Sequence, residues 1–194
     1  MFAKRGHAYF VGDLPIPSLH EILEAAGQIS PYCRQEEAEV RGTLVHHLAL
    51  QFDLQGLDLA DLVSPVRGWL LAHAAFRQRH QPCYDVLEQP MLVRVNGMLF
   101  GTTIDRAGQL RRRPMIQDLK TGVPAKWHAL QGCAHVLALD GRPSRRRRLV
   151  TYYHWDGSYR LVEHPNPADF HAFTRVWEDA LLCRPELSQQ VREA

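Results

Sequence analysis

A chain of 194 residues suits one domain with a full hydrophobic core and leaves little room for two. Apolar residues make up 45% and charged residues 23%, the balance of a soluble globular protein, and no apolar run approaches the roughly 20 residues that a membrane helix requires. A net charge of +2 does not by itself announce a polyanionic partner, and the opening Met1-Phe2-Ala3-Lys4-Arg5-Gly6-His7 lacks the apolar run of a secretory signal, so a cytoplasmic location is expected.

In chain order, residues 8–17 read as a short strand and a proline-stiffened turn. Ser18 then stands at an N-cap, with Glu21 three residues on completing a capping box. The helix that follows, residues 19–26, stops at Gly27. A second helix is expected over 36–52, with Val40, Leu44, Leu48 and Phe52 on one face, and a third over 59–79 that includes Trp69, Leu70 and Phe76. After Pro82 the period changes. Residues 86–95 read as a strand, Asn96-Gly97 as a hairpin turn, 98–106 as the next strand and 115–120 as the third. A helix over 127–139, strands over 149–155 and 159–162 around Asp156-Gly157, and a helix over 167–183 complete the order. The expectation is a single 1–194 unit of mixed α/β (α+β) class: a mainly helical part to about residue 80, a sheet core over about 84–165 and a closing helix. Trp69, Phe76, Trp177 and Leu181 are expected in cores.

Cys33, Cys83, Cys133 and Cys183 are far apart and include no CxxC pair, so free thiols are expected. Two basic runs, Arg111–Arg113 and Arg145–Arg148, would suit either phosphate contacts or solvated turns and strand edges.

The chemistry concentrates in Gly101-Thr102-Thr103-Ile104-Asp105 and, thirteen residues after that aspartate, Asp118-Leu119-Lys120. Alternation on a strand puts Asp118 and Lys120 on one face, roughly 7 Å apart, and an antiparallel neighbour at about 4.8 Å can bring Asp105 beside Asp118. Two carboxylates that close repel unless a proton or cation lies between them, and hard oxygen ligands favour Mg²⁺ or Mn²⁺. With a lysine alongside, this is an inventory for metal-assisted phosphodiester hydrolysis. The same residues would also serve as exposed strand-end carboxylates with a local ion-pair partner. His46-His47 does not make a zinc site, because adjacent helical residues point about 100° apart, and His47 is read as peripheral. No Gly-rich phosphate loop is present.

Five segments in order resemble the PD-(D/E)XK nucleases of the RecB-like branch, especially small phage-type exonucleases and the mitochondrial genome maintenance exonuclease. They are Pro17-Ser18-Leu19-His20-Glu21-Ile22-Leu23, Arg41-Gly42-Thr43-Leu44-Val45-His46, Gly101 to Asp105, Ile116-Gln117-Asp118-Leu119-Lys120-Thr121-Gly122, and a helical motif beginning at Gln131. The resemblance implies a restriction-endonuclease-like core and a metal held by His46, Asp105, Asp118 and the carbonyl of Leu119. It also implies that Lys120 positions the attacking water, that Gln131 contacts DNA or braces the site, and that Gly42 lets its helix approach the sheet. Glu88, Ser18, Arg41, His135 and Trp127 are supporting or DNA-contact candidates, with core packing the alternative for Trp127. His20 and His135 replace the family's threonine and tyrosine, which leaves the metal set intact and alters substrate contacts.

The function this implies is a Mg²⁺- or Mn²⁺-dependent exonuclease acting on DNA ends in phage-type recombination, replication or repair. Its setting would be a bacterial or phage-infected cell, with a recombination or single-strand-annealing protein as a partner and homo-oligomers an open option. A structure-specific endonuclease, or a DNA-binding protein that has lost turnover, are the alternatives.

Overall fold

The computed structural model describes residues 1–193 apart from His7, residues 31–35, Asp61, Val63 and Asn96. The described residues form eight strands and six helices. A five-stranded mixed sheet is built from β4 (Cys83–Val95), β5 (Met98–Leu110), β6 (Arg113–Lys120), β7 (Arg147–Tyr153) and β8 (Tyr159–Glu163), in that spatial order. All neighbours are antiparallel except β6 and β7, which run parallel and are connected through α4 (Trp127–Asp140). Pro90 is tolerated inside β4 because that strand is at the sheet edge. Val95 pairs with Met98 around Gly97, in line with the expected hairpin; Asn96 lies outside the described residues, as does Cys33.

Helices cover both faces. On one, α4 packs with α1 (Leu19–Ala25) and α5 (Ala168–Cys183) in a cluster that buries Leu23, Phe100, Phe173 and Trp177, with Leu181 at its margin. Each such side chain contributes about 1.5–3 kcal/mol on burial. On the other, α2 (Glu36–Gln55) and α3 (Arg67–His80) enclose Val45, Leu70, Phe76, Leu119 and Tyr153, with Trp69 partly covered. Among the described residues no helix is long and apolar enough to cross a membrane. Cys83, Cys133 and Cys183 are free.

The α1 boundaries follow from local chemistry. Ser18 Oγ accepts the Glu21 amide at 3.2 Å, the Glu21 carboxylate accepts the Ser18 amide at 2.7 Å, and Gly27 ends the turn with φ +68°. Other expectations are corrected. The third helix begins at Arg67 rather than residue 59: Pro65 cannot sit in a helix interior, and the Asp58 carboxylate bends the preceding chain by accepting the Ala60 amide at 2.8 Å. The α2 stripe is rotated, since Val45 and Ala49 are buried while Val40 is 62% exposed.

The N-terminal part is not mainly helical at its start. Strands β1 (Phe2–Arg5), β2 (Ala8–Val11) and β3 (Leu14–Ile16) form a separate antiparallel sheet. Its Tyr9 ring lies against Gly101, where an added Cβ would stand 2.1 Å from a ring carbon, and the Gly101 amide donates to Pro17 O at 2.9 Å. A last helix, α6 (Pro185–Glu193), buries Leu187.

Candidate functional site

The site forms where β5 and β6 part. Their ladder runs from Leu110 opposite Arg113 to Arg106 opposite Gln117. One residue further, Asp105 replaces a backbone partner with its side chain: Oδ2 accepts the Leu119 amide at 2.8 Å. β4 supplies the next group. Leu87 pairs with Arg106 and Gln89 with Ile104, so Glu88 lies across from Asp105. Glu88 holds φ at +44°, a left-handed conformation that costs a non-glycine residue about 1–2 kcal/mol.

From above, α2 lowers His46 into this corner. Its Nδ1 is 3.2 Å from Glu88 Oε1 and 3.7 Å from Asp105 Oδ1, and its Nε2 is 3.0 Å from the Leu119 carbonyl. His46, Glu88 and Asp105 each present one ligand atom within 4.8 Å of the others. Burial disfavours the charged imidazole, but the Asp105 and Glu88 carboxylates outweigh it and raise its pKa to about 9. Glu88 shows the converse: burial alone would raise its pKa, and hydrogen bonds from His46 and Arg106 bring it below the usual carboxylate value.

Asp118 and Lys120 share a face of β6, with Lys120 Nζ 2.5 Å from Asp118 Oδ2. Asp118 is buried, and neither of its oxygens accepts a well-aligned hydrogen bond. One imidazole and two carboxylates, from His46, Glu88 and Asp105, are a donor set that a hard divalent cation such as Mg²⁺ or Mn²⁺ could take. The expected set of His46, Asp105, Asp118 and the Leu119 carbonyl is therefore brought together in part. Asp118 turns to Lys120 and stays outside the tight trio, and Glu88 stands inside it.

Behind the site runs a buried polar network that sequence reasoning missed. Arg106 donates from Nε to Asp53 at 2.8 Å, and from Nη1 to Glu88 at 2.8 Å and to the Asp105 carbonyl at 2.7 Å. Asp53 also meets His73 Nε2 and Arg77 Nε, each at 3.1 Å, and His73 Nδ1 pairs with Tyr153 OH at 2.9 Å. Burial lowers the His73 pKa, whereas for Asp53 the burial penalty is overcome by His73 and Arg106, which hold it low. The signal available in sequence was Asp53 between Phe52 and Leu54 and His73 between Ala72 and Ala74, polar residues with apolar neighbours; Arg106, next to Asp105, carried no such signal.

The site opens into a cleft of about 1080 Å³ lined by His46, Glu88, Asp105, Lys120, Trp127 and Gln131, with Ser18 and His20 on α1 and its cap, and Lys4, Arg5 and Tyr9 from the N-terminal sheet. Trp127 both packs and lines the cleft: its ring borders the core, and the Lys120 ammonium stands 5.3 Å from its centroid. Gln131 has a buried Oε1 with no partner. Ser18 spends its oxygen on the helix cap. His135 does not line the cleft; it is buried, its pKa lowered by that burial, and its Nε2 meets Thr102 Oγ1 at 3.1 Å. Of the two roles expected for it, this position suits the supporting one rather than a contact made from the cleft surface. Arg41 also stays off the cleft, stacked at 5.3 Å on Trp69.

Gly42 is not required for close approach, since a Cβ there would meet only Thr121 Oγ1 at 3.9 Å. His47, read as peripheral, stands outside the tight trio with its Nε2 3.1 Å from Gln51 Nε2, but it is exposed along the cleft wall. Arg145–Arg148 are not a free cationic run: Arg146 pairs with Asp140, Arg147 with Glu163 and Arg148 with Asp169. Arg111 and Arg112 form the β5–β6 turn at the far end of β6 from Lys120, with φ of +52° and +62°.

No family model matches the chain, and no curated protein matches it. Among solved structures it is similar to one titled "Crystal structure of SSO0001", at 15% identity over 74% of this chain and 86% of that one, with a TM-score of 0.37. A likeness at that level leaves function to be argued from the chain's own residues.

Proposed function

We propose that this protein is a divalent-cation-dependent DNA exonuclease with a PD-(D/E)XK-type core. The observation that carries the reading is the convergence of His46, Glu88 and Asp105 within 4.8 Å, beside the Asp118–Lys120 pair and at the base of an open cleft. His46, Asp105, Asp118 and the Leu119 carbonyl would hold the cation, with Glu88 as a further carboxylate. A bound Mg²⁺ or Mn²⁺ would supply Lewis-acid polarisation of a phosphate oxygen and a lowered pKa for water. The chain supplies the rest. In this reading Lys120 would orient the attacking water and offset charge on the phosphate, Gln131 would donate from its amide into the cleft, and Trp127 would offer a face to a base.

Action at DNA ends, in phage-type recombination, replication or repair, is the part of the proposal supported by the motif resemblance. The test is labelled linear and closed-circular DNA incubated with Mg²⁺, Mn²⁺ or chelator, beside an Asp118→Ala control. Ion-dependent shortening of linear DNA, lost in the control, is expected. Cleavage undiminished in the control would remove the proposed site, and cutting of closed circles would make the enzyme an endonuclease. Binding without cleavage under every divalent ion would make the chain a DNA-binding protein.

A further inference from the structure

We propose that the N-terminal sheet is the outer wall of the substrate site, and that Lys4 and Arg5 on β1 hold backbone phosphates adjoining the one under attack. The inference rests on the nuclease reading above and identifies residues for which the motif resemblance, beginning at Pro17, provides no counterpart.

Three observations carry it. Lys4 and Arg5 line the same cleft as His46, Asp105 and Lys120. The wall is anchored to the strand that bears the site: Tyr9 lies against Gly101, Tyr9 OH meets Thr103 Oγ1 at 2.8 Å, and the Gly101 amide is bonded to Pro17. Lys4 Nζ donates to Thr103 Oγ1 at 2.9 Å, and Thr103 stands two residues before Asp105 on β5. Residues two apart on a strand share a face and lie roughly 7 Å from one another. The Lys4 ammonium is thereby set about one nucleotide step from the carboxylates.

Charge accounting singles out these cations. Arg146, Arg147 and Arg148 are neutralised by carboxylates. Among the described residues neither Lys4 nor Arg5 has a carboxylate partner; Lys4 bonds a hydroxyl and Arg5 lies over the Phe10 ring at 5.0 Å. Lys4, held without a carboxylate partner at a set spacing from the proposed centre, and Arg5, which lines the same cleft, suit a polyanionic strand. The threonine hydroxyl positions the lysine without neutralising it.

The experiment measures binding of a short fluorescein-labelled oligodeoxythymidine by anisotropy, in chelator, over a range of NaCl concentrations. Turnover is not needed, so failure of the nuclease reading, seen in the cleavage assay, is separate from failure of this one. Affinity of the Lys4→Met/Arg5→Met double variant should fall about tenfold or more, and the slope of log affinity against log salt should flatten by roughly 1.4, about 0.7 for each phosphate left without its cation. Lys4→Arg/Arg5→Lys, which keeps both charges, should restore affinity and slope. Arg142→Met/Arg145→Met, removing two exposed charges outside the cleft, should leave both unchanged. Wild-type affinity and slope in the Lys4/Arg5 methionine variant, equal loss in the Arg142/Arg145 variant, no rescue on restoring charge, or no binding by the wild type would each overturn the proposal.

Discussion

Binding of Mn²⁺ should be steeply pH-dependent, because His46 has to surrender a proton before its ring nitrogen can act as a ligand. In the metal-free protein the Asp105 and Glu88 carboxylates overcome the burial penalty and hold the imidazole at a pKa of about 9. Its side chain is only 25% exposed, so solvent screening is limited. Below that pKa proton and cation compete, and each pH unit costs about tenfold in apparent affinity. At pH 7 the handicap is roughly a hundredfold, or ~2.7 kcal/mol. Calorimetric titration at pH 6.5, 7.5 and 8.5, in buffers of differing ionisation enthalpy, should show affinity rising with pH and nearly one proton released per ion at neutral pH. His46→Gln should weaken binding and abolish the slope. Affinity independent of pH with no proton release would refute the competition. The charged imidazole also stabilises the metal-free fold below the unfolded pKa of ~6.5, and that contribution is lost as pH rises through about 9.

Four further outcomes are expected. Asp53→Ala strands the buried Arg106 guanidinium and should cost about 3–5 kcal/mol in chemical denaturation; a loss below ~1 kcal/mol would show that the network does not carry the packing assigned to it. In the wild type the depressed Asp53 pKa places its stabilisation above the ordinary carboxylate range, so a denaturation midpoint followed into acid should fall as that group protonates, more than in Asp53→Ala. Gly101→Ala drives a methyl into the Tyr9 ring and should destabilise by about 1–3 kcal/mol, with faster proteolysis within residues 1–16. Arg111→Asn/Arg112→Gly relieves two left-handed arginines in a two-residue hairpin turn and should raise stability by about 1 kcal/mol, read as a shifted denaturation midpoint at unchanged slope.

What was legible in the sequence follows the reach of local rules. The capping box at Ser18, the stop at Gly27 and the strands carrying Asp105, Asp118 and Lys120 are set by residues within one turn or one pleat of each other. Of the N-terminal sheet only one short strand within residues 8–17 was legible, because strands of three or four residues hold no period long enough to register the others. The buried stripe of α2 was legible in part: Leu44 and Leu48 pack against the core, but its centre falls on Val45 and Ala49, and Asp53 is a buried acid that a hydrophobic pattern assigns to solvent. The arginines at 146–148 looked available because two of their partners, Glu163 and Asp169, lie 16 and 21 residues away. Glu88 was legible as an acid but not as a neighbour of His46, which depends on its strand register and left-handed backbone.

The buried network and the candidate site are mechanically one unit. Arg106 bridges Asp53 on α2 to Glu88 on β4 while also holding the Asp105 carbonyl, and α2 delivers His46 to Glu88 seven residues before Asp53. The helix is thus fixed to the sheet at two points about two turns apart, and both fixings converge on Glu88. A shift of α2 along its axis would have to break the Asp53–Arg106 bonds as well as the His46 contacts to Glu88 and Asp105. This explains why an uncommon buried arginine sits where an aliphatic residue would stabilise the sheet at least as well. Its charge offsets the Asp53 and Glu88 carboxylates that it bridges, which would otherwise repel each other.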